Sequence, residues 1–237
     1  MKNVIYYHDS IKEIKVTLEN DIRIATTQAE NSDWANLGYY EKRNRELGLP
    51  DENEKRIVFM GDSITEEWGN LYPEFFSGNY YINRGIGGQT TPQMLIRFKP
   101  DAIDLKPYAI IILAGTNDIA GNTGPSTVRM ITDNIFSMAE LAIAYEIKVV
   151  LASILPVYQY PWVDDVLDPL SVIDSINSKI KEYVENKGLV YLDYYSSMVD
   201  DRKGLKLDFT GDGVHPNEAG YKVMSVIADE IISQVSY

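Results

Sequence analysis

The 237-residue chain has no cysteine, which rules out disulfides, thiolate metal ligands and a cysteine nucleophile and leaves the redox compartment open. Histidine is nearly as scarce: only His8 and His215 occur, so a mechanism that needs an imidazole has very little choice. Positive charge is in deficit, with 22 Lys and Arg against 35 Asp and Glu for a net charge of -13, and such a chain repels phosphate backbones and anionic lipid surfaces. Nucleic acid binding and stable membrane association are therefore set aside. No stretch approaches roughly 18 consecutive apolar residues, and the N-terminal "MKNVIYYHDSIKEIKV" has neither an unbroken apolar segment nor a small-residue cleavage site. The expected location is the cytoplasm, or the exterior if a leader has been removed.

What is present suits one globular domain, with 45% apolar and 24% charged residues. Short apolar runs recur at 56–61, 80–85, 109–115, 148–154 and 189–194. Their near-continuous hydrophobicity is that of parallel strands covered on both faces. Helical spacing of apolar residues fills 126–146 and 171–188, and a last amphipathic stretch starts at Asn217 behind Pro216. The alternation predicts an α/β fold, an open parallel sheet with helices on both faces. Residues 1–54 do not follow it. "IKEIKVTLEN" reads as a strand and "SDWANLGYYEKRNRELG" as a helix ending at Gly48, so 1–54 is expected to be an appendage packed on a domain formed by 55–237.

Ligands of such sheets bind beyond the carboxyl ends of the strands. The segments that fall there are "GDS" after the first strand, "NRGIGGQTT" after the second and "GTNDIAGNTG" after the third, all small and polar. Asp212 and His215 follow the fifth strand, in "TGDGVHPNEAG". A serine hydroxyl needs a base within hydrogen-bond reach, usually a histidine held by a carboxylate, and Ser63, His215 and Asp212 are the candidates for those parts. An oxyanion needs preorganised donors. Gly88 offers a backbone N–H where no Cβ blocks approach, and Asn117 offers a side-chain NH₂. Taken alone, Ser63 with Glu66 three residues on is the spacing of a helix capping box, a purely structural role.

Together, "GDSIT" at 61–65, the glycines of "GIGGQ", "GTND" at 115–118 and "DGVHP" at 212–216 resemble the four blocks of the SGNH hydrolases, the GDSL-type esterases and lipases, in order and approximate spacing. The similarity runs from about residue 55 to the C-terminus and is nearest to the platelet-activating-factor acetylhydrolase-like and carbohydrate acetyl esterase members. It implies a flavodoxin-like three-layer α/β/α sandwich with a five-stranded parallel sheet. It also implies a catalytic triad of Ser63, Asp212 and His215, and an oxyanion hole formed by the Ser63 N–H, Gly88 and Asn117. Ile64 stands where the family's name-giving motif has leucine. Gly85, Gly87 and Gly88 compete for the oxyanion role, and the resemblance favours Gly88, because the oxyanion glycine of that family usually directly precedes a polar residue, here Gln89.

The function expected is a serine esterase acting through an acyl-enzyme on a small-molecule ester with a short acyl group, including acetyl esters of carbohydrates. No metal or organic cofactor is expected, and the oligomeric state is open. The same triad would serve a lysophospholipase, a thioesterase or an acyltransferase; a rival of another class is a non-catalytic module that binds carbohydrate or nucleotide. Asp62 and Asp118 are expected to hold loops through backbone hydrogen bonds, Trp68 to pack around the first helix, and the aromatic segment 155–170 to wall the substrate pocket.

Overall fold

The computed structural model describes residues 33–163 and 168–236, so the strand expected within 11–20, His8 and part of the 155–170 segment lie outside the described residues. Within them, β1 (Ile57–Gly61), β2 (Tyr81–Gly85), β3 (Ala109–Ile112), β4 (Lys148–Ala152) and β5 (Val190–Leu192) form one parallel sheet in the order β2-β1-β3-β4-β5. That order belongs to the flavodoxin-like class. The chain leaves β1 for β2 on one side and returns to β3 on the other. The carboxyl ends of β1 and β3 therefore flank the point where winding reverses, and the loops after β1, β2 and β3 meet there.

Alternation along the strands divides the core into two layers. Val58 and Met60 of β1 point to the face covered by α3 (Thr91–Asp101), α5 (Val128–Ala144) and α6 (Pro169–Lys187), where Phe98, Ile135, Met138, Ile176 and Ile180 are buried. Ile57 and Phe59 point to the opposite face, covered by α2 (Ser63–Leu71), α7 (Tyr195–Met198) and α8 (Glu218–Ser236) through Ile64, Trp68, Met198, Tyr221, Met224 and Ala228. This is the expected α/β/α sandwich. Trp68 lies in that second layer, stacked on Phe75 at 4.6 Å and Tyr221 at 5.7 Å between ring centroids, and is a packing residue.

The helix expected over 32–48 is shorter in the structure. Only α1 (Glu41–Leu47) is helical, and 33–40 form turns. Asp33 explains the difference: its carboxylate accepts from Leu37 N–H at 2.7 Å and Gly38 N–H at 2.9 Å, offering those amides a partner that competes with the helix. The segment is tied to the sheet edge and the second loop. Gln89 Nε2 donates to Ala35 O at 2.8 Å, Gln93 Nε2 to Trp34 O at 2.6 Å, and the Tyr40 hydroxyl to Gly85 O.

Candidate active site

β1 ends at Gly61, and the chain turns directly into α2. The helix is capped by Asp62, whose Oδ1 accepts from Ile64 N–H at 3.0 Å, so Ser63 is the first helical residue and its Oγ is not spent on capping. The capping box suggested by Ser63 and Glu66 does not form. Glu66 turns instead to the second loop, where Oε2 accepts from Gly87 N–H at 2.7 Å and Oε1 accepts from the Tyr39 hydroxyl. The local pattern loses because Asp62 takes the cap and Gly87 offers Glu66 a charge-assisted bond.

The histidine arrives on a tight turn before α8. Asp212 Oδ1 accepts from the backbone N–H of Val214 at 2.9 Å and of His215 at 2.8 Å, while Thr210 Oγ1 accepts from Gly213 N–H at 2.9 Å and donates to His215 O at 2.7 Å. Asp212 Oδ2 then lies 2.7 Å from His215 Nδ1, and His215 Nε2 lies 3.0 Å from Ser63 Oγ. A carboxylate only accepts, so Nδ1 carries the hydrogen and Nε2 presents its lone pair to the serine hydroxyl. Burial pushes the Asp212 carboxyl upward, but the bonds from the His215 ring and the two backbone N–H groups outweigh it and hold the carboxyl below its usual range. Trp162 packs over the imidazole with ring centroids 5.8 Å apart and planes 29° from parallel.

The three glycines of the second loop have different surroundings. A Cβ at Gly85 would lie 2.1 Å from Glu66 N and 2.7 Å from Asp62 O, so this glycine lets β2 close on the start of α2, and its N–H goes to Asn83 Oδ1 at 2.9 Å. The Gly87 N–H is taken by Glu66. Gly88, at φ +75°, is in the left-handed region that favours glycine, and its N–H has no acceptor among the described residues. The Ser63 N–H is likewise unclaimed among them.

Asn117 sits in α4 (Thr116–Ile119), just beyond β3. Its Nδ2 donates to Gln89 O at 3.0 Å, and its Oδ1 accepts from Asn122 Nδ2 at 3.1 Å, which orients the amide and leaves its second N–H without an acceptor among the described residues. Next to it, Asp118 accepts from Thr91 N–H at 2.8 Å and Thr91 Oγ1 at 2.6 Å at the start of α3, as expected of a loop-holding carboxylate. Burial raises the Asp118 carboxyl, although those two bonds oppose it. Asp62 is fully buried, and that burial, opposed by the Ile64 N–H bond and by His215, pushes its carboxyl up to about 7.

Beneath these loops lies Arg97, a buried guanidinium from α3 that sequence reasoning did not single out. Its Nη2 donates to Gly61 O at 2.8 Å and Arg84 O at 3.0 Å, its Nη1 pairs with Asp101 at 3.3 Å, and its Nε donates to Gln89 Oε1. It thus gathers the carboxyl ends of β1 and β2 and the loop carrying Gly88. An arginine at helical spacing beside Phe98 carries no local sign of this; only the arrival of buried carbonyls from two strands gives it that role.

Beyond the histidine, a cavity of about 420 Å³ opens beside Asp212 and Gly213, walled by Tyr158, Gln159, Pro161 and Arg202; Ser63 and His215 do not line it. The aromatic segment after β4 therefore borders the site through Trp162 and this cavity, and Tyr160 is buried beneath with its hydroxyl 2.8 Å from Thr116 Oγ1. Among the described residues, no cluster of three or more His, Asp or Glu could hold a metal ion, and no helix is long and apolar enough to cross a membrane.

Residues 59–223 match the model of the GDSL-like Lipase/Acylhydrolase family. The fold is shared with a GDSL-like lipase of Bacteroides thetaiotaomicron, 43% identical over 84% of this chain and 98% of that one at a TM-score of 0.83. A proposed acylhydrolase of Bacteroides fragilis is 47% identical over 85% of this chain and 98% of that one, also at a TM-score of 0.83. Among curated proteins, the alpha1 subunit of platelet-activating factor acetylhydrolase IB of Rattus norvegicus is 27% identical over 115 residues, 46% of this chain and 47% of that protein. An uncharacterized lipoprotein of Bacillus subtilis is 34% identical over 121 residues, 44% of this chain and 49% of that protein. The chain spans about half the length of the curated relatives it matches.

Proposed function

The chain belongs to the GDSL-like lipase/acylhydrolase family, and from that premise we propose that it is a serine esterase that cleaves short-chain carboxylic esters through an acyl-enzyme. The observation that carries this reading is the continuous chain from Asp212 Oδ2 to His215 Nδ1 at 2.7 Å and from His215 Nε2 to Ser63 Oγ at 3.0 Å. In the first step His215 Nε2 takes the hydroxyl proton as Ser63 Oγ bonds to the ester carbonyl carbon. The carbonyl oxygen becomes an oxyanion facing the N–H groups of Ser63 and Gly88 and the free N–H of Asn117. Collapse breaks the bond to the leaving alkoxide, which receives the proton from His215. In the second step water gives a proton to His215 as its oxygen bonds to the acyl carbon, and collapse breaks the bond to Ser63 Oγ, which takes that proton back from His215 as the acid leaves.

Asp212 acts through His215, by fixing the tautomer and stabilising the imidazolium. Acetyl is the preferred acyl group. The match to a platelet-activating factor acetylhydrolase subunit supports it. Acetyl esters of carbohydrates are the leading substrates, with the alcohol portion lying toward the half-exposed Trp162 and the cavity walled by Tyr158 and Gln159. Residues 33–54 belong to an appendage that supports the Gly88 loop through Ala35, Tyr39 and Tyr40.

A chain-length series of p-nitrophenyl esters, run on wild type and Ser63→Ala, tests the reading. Activity confined to acetate and its near neighbours in wild type, and absent from the variant, is expected. Equal turnover by both proteins would remove Ser63 as nucleophile, and a preference for long chains would shift the assignment toward a lysophospholipase. Added alcohols that divert the acyl group from water would mark an acyltransferase.

A further inference from the structure

Asn122 stands just past α4, in the turn that follows Asn117, at the exposed rim of the site. Its side chain contributes nothing that the turn requires. The backbone closes the turn by itself, with Asn122 N–H donating to Asn117 O at 3.0 Å, Gly121 N–H to Asp118 O at 3.0 Å and Gly124 N–H to Gly121 O at 2.9 Å. The side-chain amide is spent elsewhere: Nδ2 donates to Gly88 O at 3.1 Å and to Asn117 Oδ1 at 3.1 Å. One NH₂ group, with one hydrogen for each acceptor, therefore joins the two residues assigned as oxyanion donors, which come from loops after different strands.

We propose that Asn122 is a positioning residue of the oxyanion hole, holding Gly88 and Asn117 in a fixed mutual geometry; this rests on the serine-esterase reading above. Both partners need such a restraint. Gly88 at φ +75° has no side chain, and the nearest atom to a Cβ built there would be Asn122 Nδ2 at 3.8 Å, so packing does not fix its peptide planes. Asn117 would become a repulsive element if its amide turned over and aimed Oδ1 at the oxyanion, and a donor bound to Oδ1 opposes that rotation. The same bond polarises the amide and strengthens its free N–H as a donor. Joining the two loops is not left to Asn122 alone, since Thr90 Oγ1 and Thr123 Oγ1 lie 3.0 Å apart and Asp118 binds Thr91. Loss of the amide therefore leaves the loops together and loosens only the donors, with Asn117 keeping its Nδ2 bond to Gln89 O.

A double-mutant cycle with p-nitrophenyl acetate tests this on the full chain, using Asn122→Ala, Asn117→Ala and the double variant, with Asn122→Asp as an isosteric control. Asn122→Ala is expected to lower kcat about tenfold, the scale of a small misplacement of reacting groups, with KM within about twofold and the melting temperature nearly unchanged. In the Asn117→Ala background the same substitution is expected to cost only about threefold, because one of its two targets has gone. Asn122→Asp should lower kcat further than Asn122→Ala, since a carboxylate would face the two oxygens that the amide now donates to. If the alanine variant does not fold, Asn122→Ser takes its place in the cycle. Full and equal losses in both backgrounds, a KM effect without a kcat effect, or an aspartate variant as active as wild type would each overturn the proposal. An active Ser63→Ala protein would overturn the esterase reading itself; an inactive Ser63→Ala beside unaffected Asn122 variants would overturn only the role of Asn122.

Discussion

Asp212 and His215 come from one four-residue turn that is partly open to solvent, whereas Gly88 and Asn117 come from loops after different strands and rest on buried polar side chains from several elements. The first arm is held by a few local bonds: Asp212 caps the turn's own N–H groups and aligns the imidazole. The second is held by Arg97 below, Asp118 beside α3, Gln89 against Ala35 and Asn122 at the rim. The contrast fits the roles proposed for the two arms. A base that takes and returns protons, and lets an alcohol leave, has to be reachable. Donors that meet an oxyanion act by not having to reorganise, so their cost is met during folding and needs a rigid support.

The largest effect expected is on the reachable arm. Ser63→Ala should lower kcat by about 10⁴-fold or more while leaving the melting temperature near wild type, because Ser63 Oγ makes no structural bond besides that to His215. Calorimetry beside the ester assay would decide it. A variant that unfolds would show the nucleophile to be structural after all.

On the supported arm the first casualty should be stability. Arg97→Met removes the guanidinium bonds to Gly61 O and Arg84 O and leaves the buried Asp101 carboxylate without its ion-pair partner, and a cost of about 3–5 kcal/mol in urea unfolding is expected. A loss below about 1 kcal/mol would mean that water or relaxation replaces the guanidinium and that the arm is less dependent on it than the contrast requires. Asn117→Ala is the converse case, a loss of about 10²–10³ in kcat with a smaller stability cost of about 1–2 kcal/mol, since Gln89 O loses its side-chain donor. Kinetics that instead show a pure KM effect would take Asn117 out of the oxyanion hole.

These two arms also differed in how well they could be read from the residues alone. The strands were legible because burial on both faces forces runs such as "IVFM", where Ile57 and Phe59 serve one layer and Val58 and Met60 the other. The hydrogen-bonded grouping of Ser63, Asp212 and His215 was legible because the chain has only two histidines and because chain order places all three residues beyond strand ends. The supports were not. Arg97, Asn122 and Glu66 owe their positions to partners far off in sequence or to loops whose course no periodicity describes. Glu66 had a plausible local partner in Ser63 and ignored it, since Asp62 supplies the cap and Gly87 supplies a better donor. The segment 33–48 was similarly opaque: Asp33 breaks an expected helix through two side-chain bonds that only the folded turn reveals.

A pH experiment sharpens the contrast further. Burial pushes the Asp62 carboxyl up to about 7, against about 3.9 for an unfolded chain. An acid whose folded value is raised binds its proton better in the native state. The stability it confers is therefore complete below about pH 4 and is lost as pH rises through about 7, amounting to a few kcal/mol at most. Asp212 has the opposite sign, its depressed carboxyl contributing stability above the unfolded value that is lost as pH falls below it. Between pH 5 and pH 8 the melting temperature of Asp62→Asn should accordingly fall less than that of wild type, since Asn keeps an acceptor for Ile64 N–H but does not titrate. Parallel curves for the two proteins would mean that Asp62 is ionised throughout.

The smallest effect expected belongs to Trp162, which bridges the contrast because it comes from the loop after β4 yet covers the open arm. Its indole is about half exposed and packs over His215 at 5.8 Å, while its edge meets buried Tyr160 at 5.7 Å. The ring face is attracted to a cation, and under the proposed mechanism the imidazole becomes one when it takes the serine proton, so the contact would strengthen at the tetrahedral intermediate. At an exposed site that difference is about 0.5–1 kcal/mol, so Trp162→Ala should lower kcat by roughly twofold to fivefold, and Trp162→Phe should recover part of it. A purely steric cover would behave otherwise: replacement by leucine would then restore activity as well as phenylalanine does. Equal rates for the leucine and phenylalanine variants would therefore assign Trp162 to the alcohol pocket alone, and a phenylalanine advantage that disappears for thioesters with better leaving groups would tie it to the proton that His215 delivers.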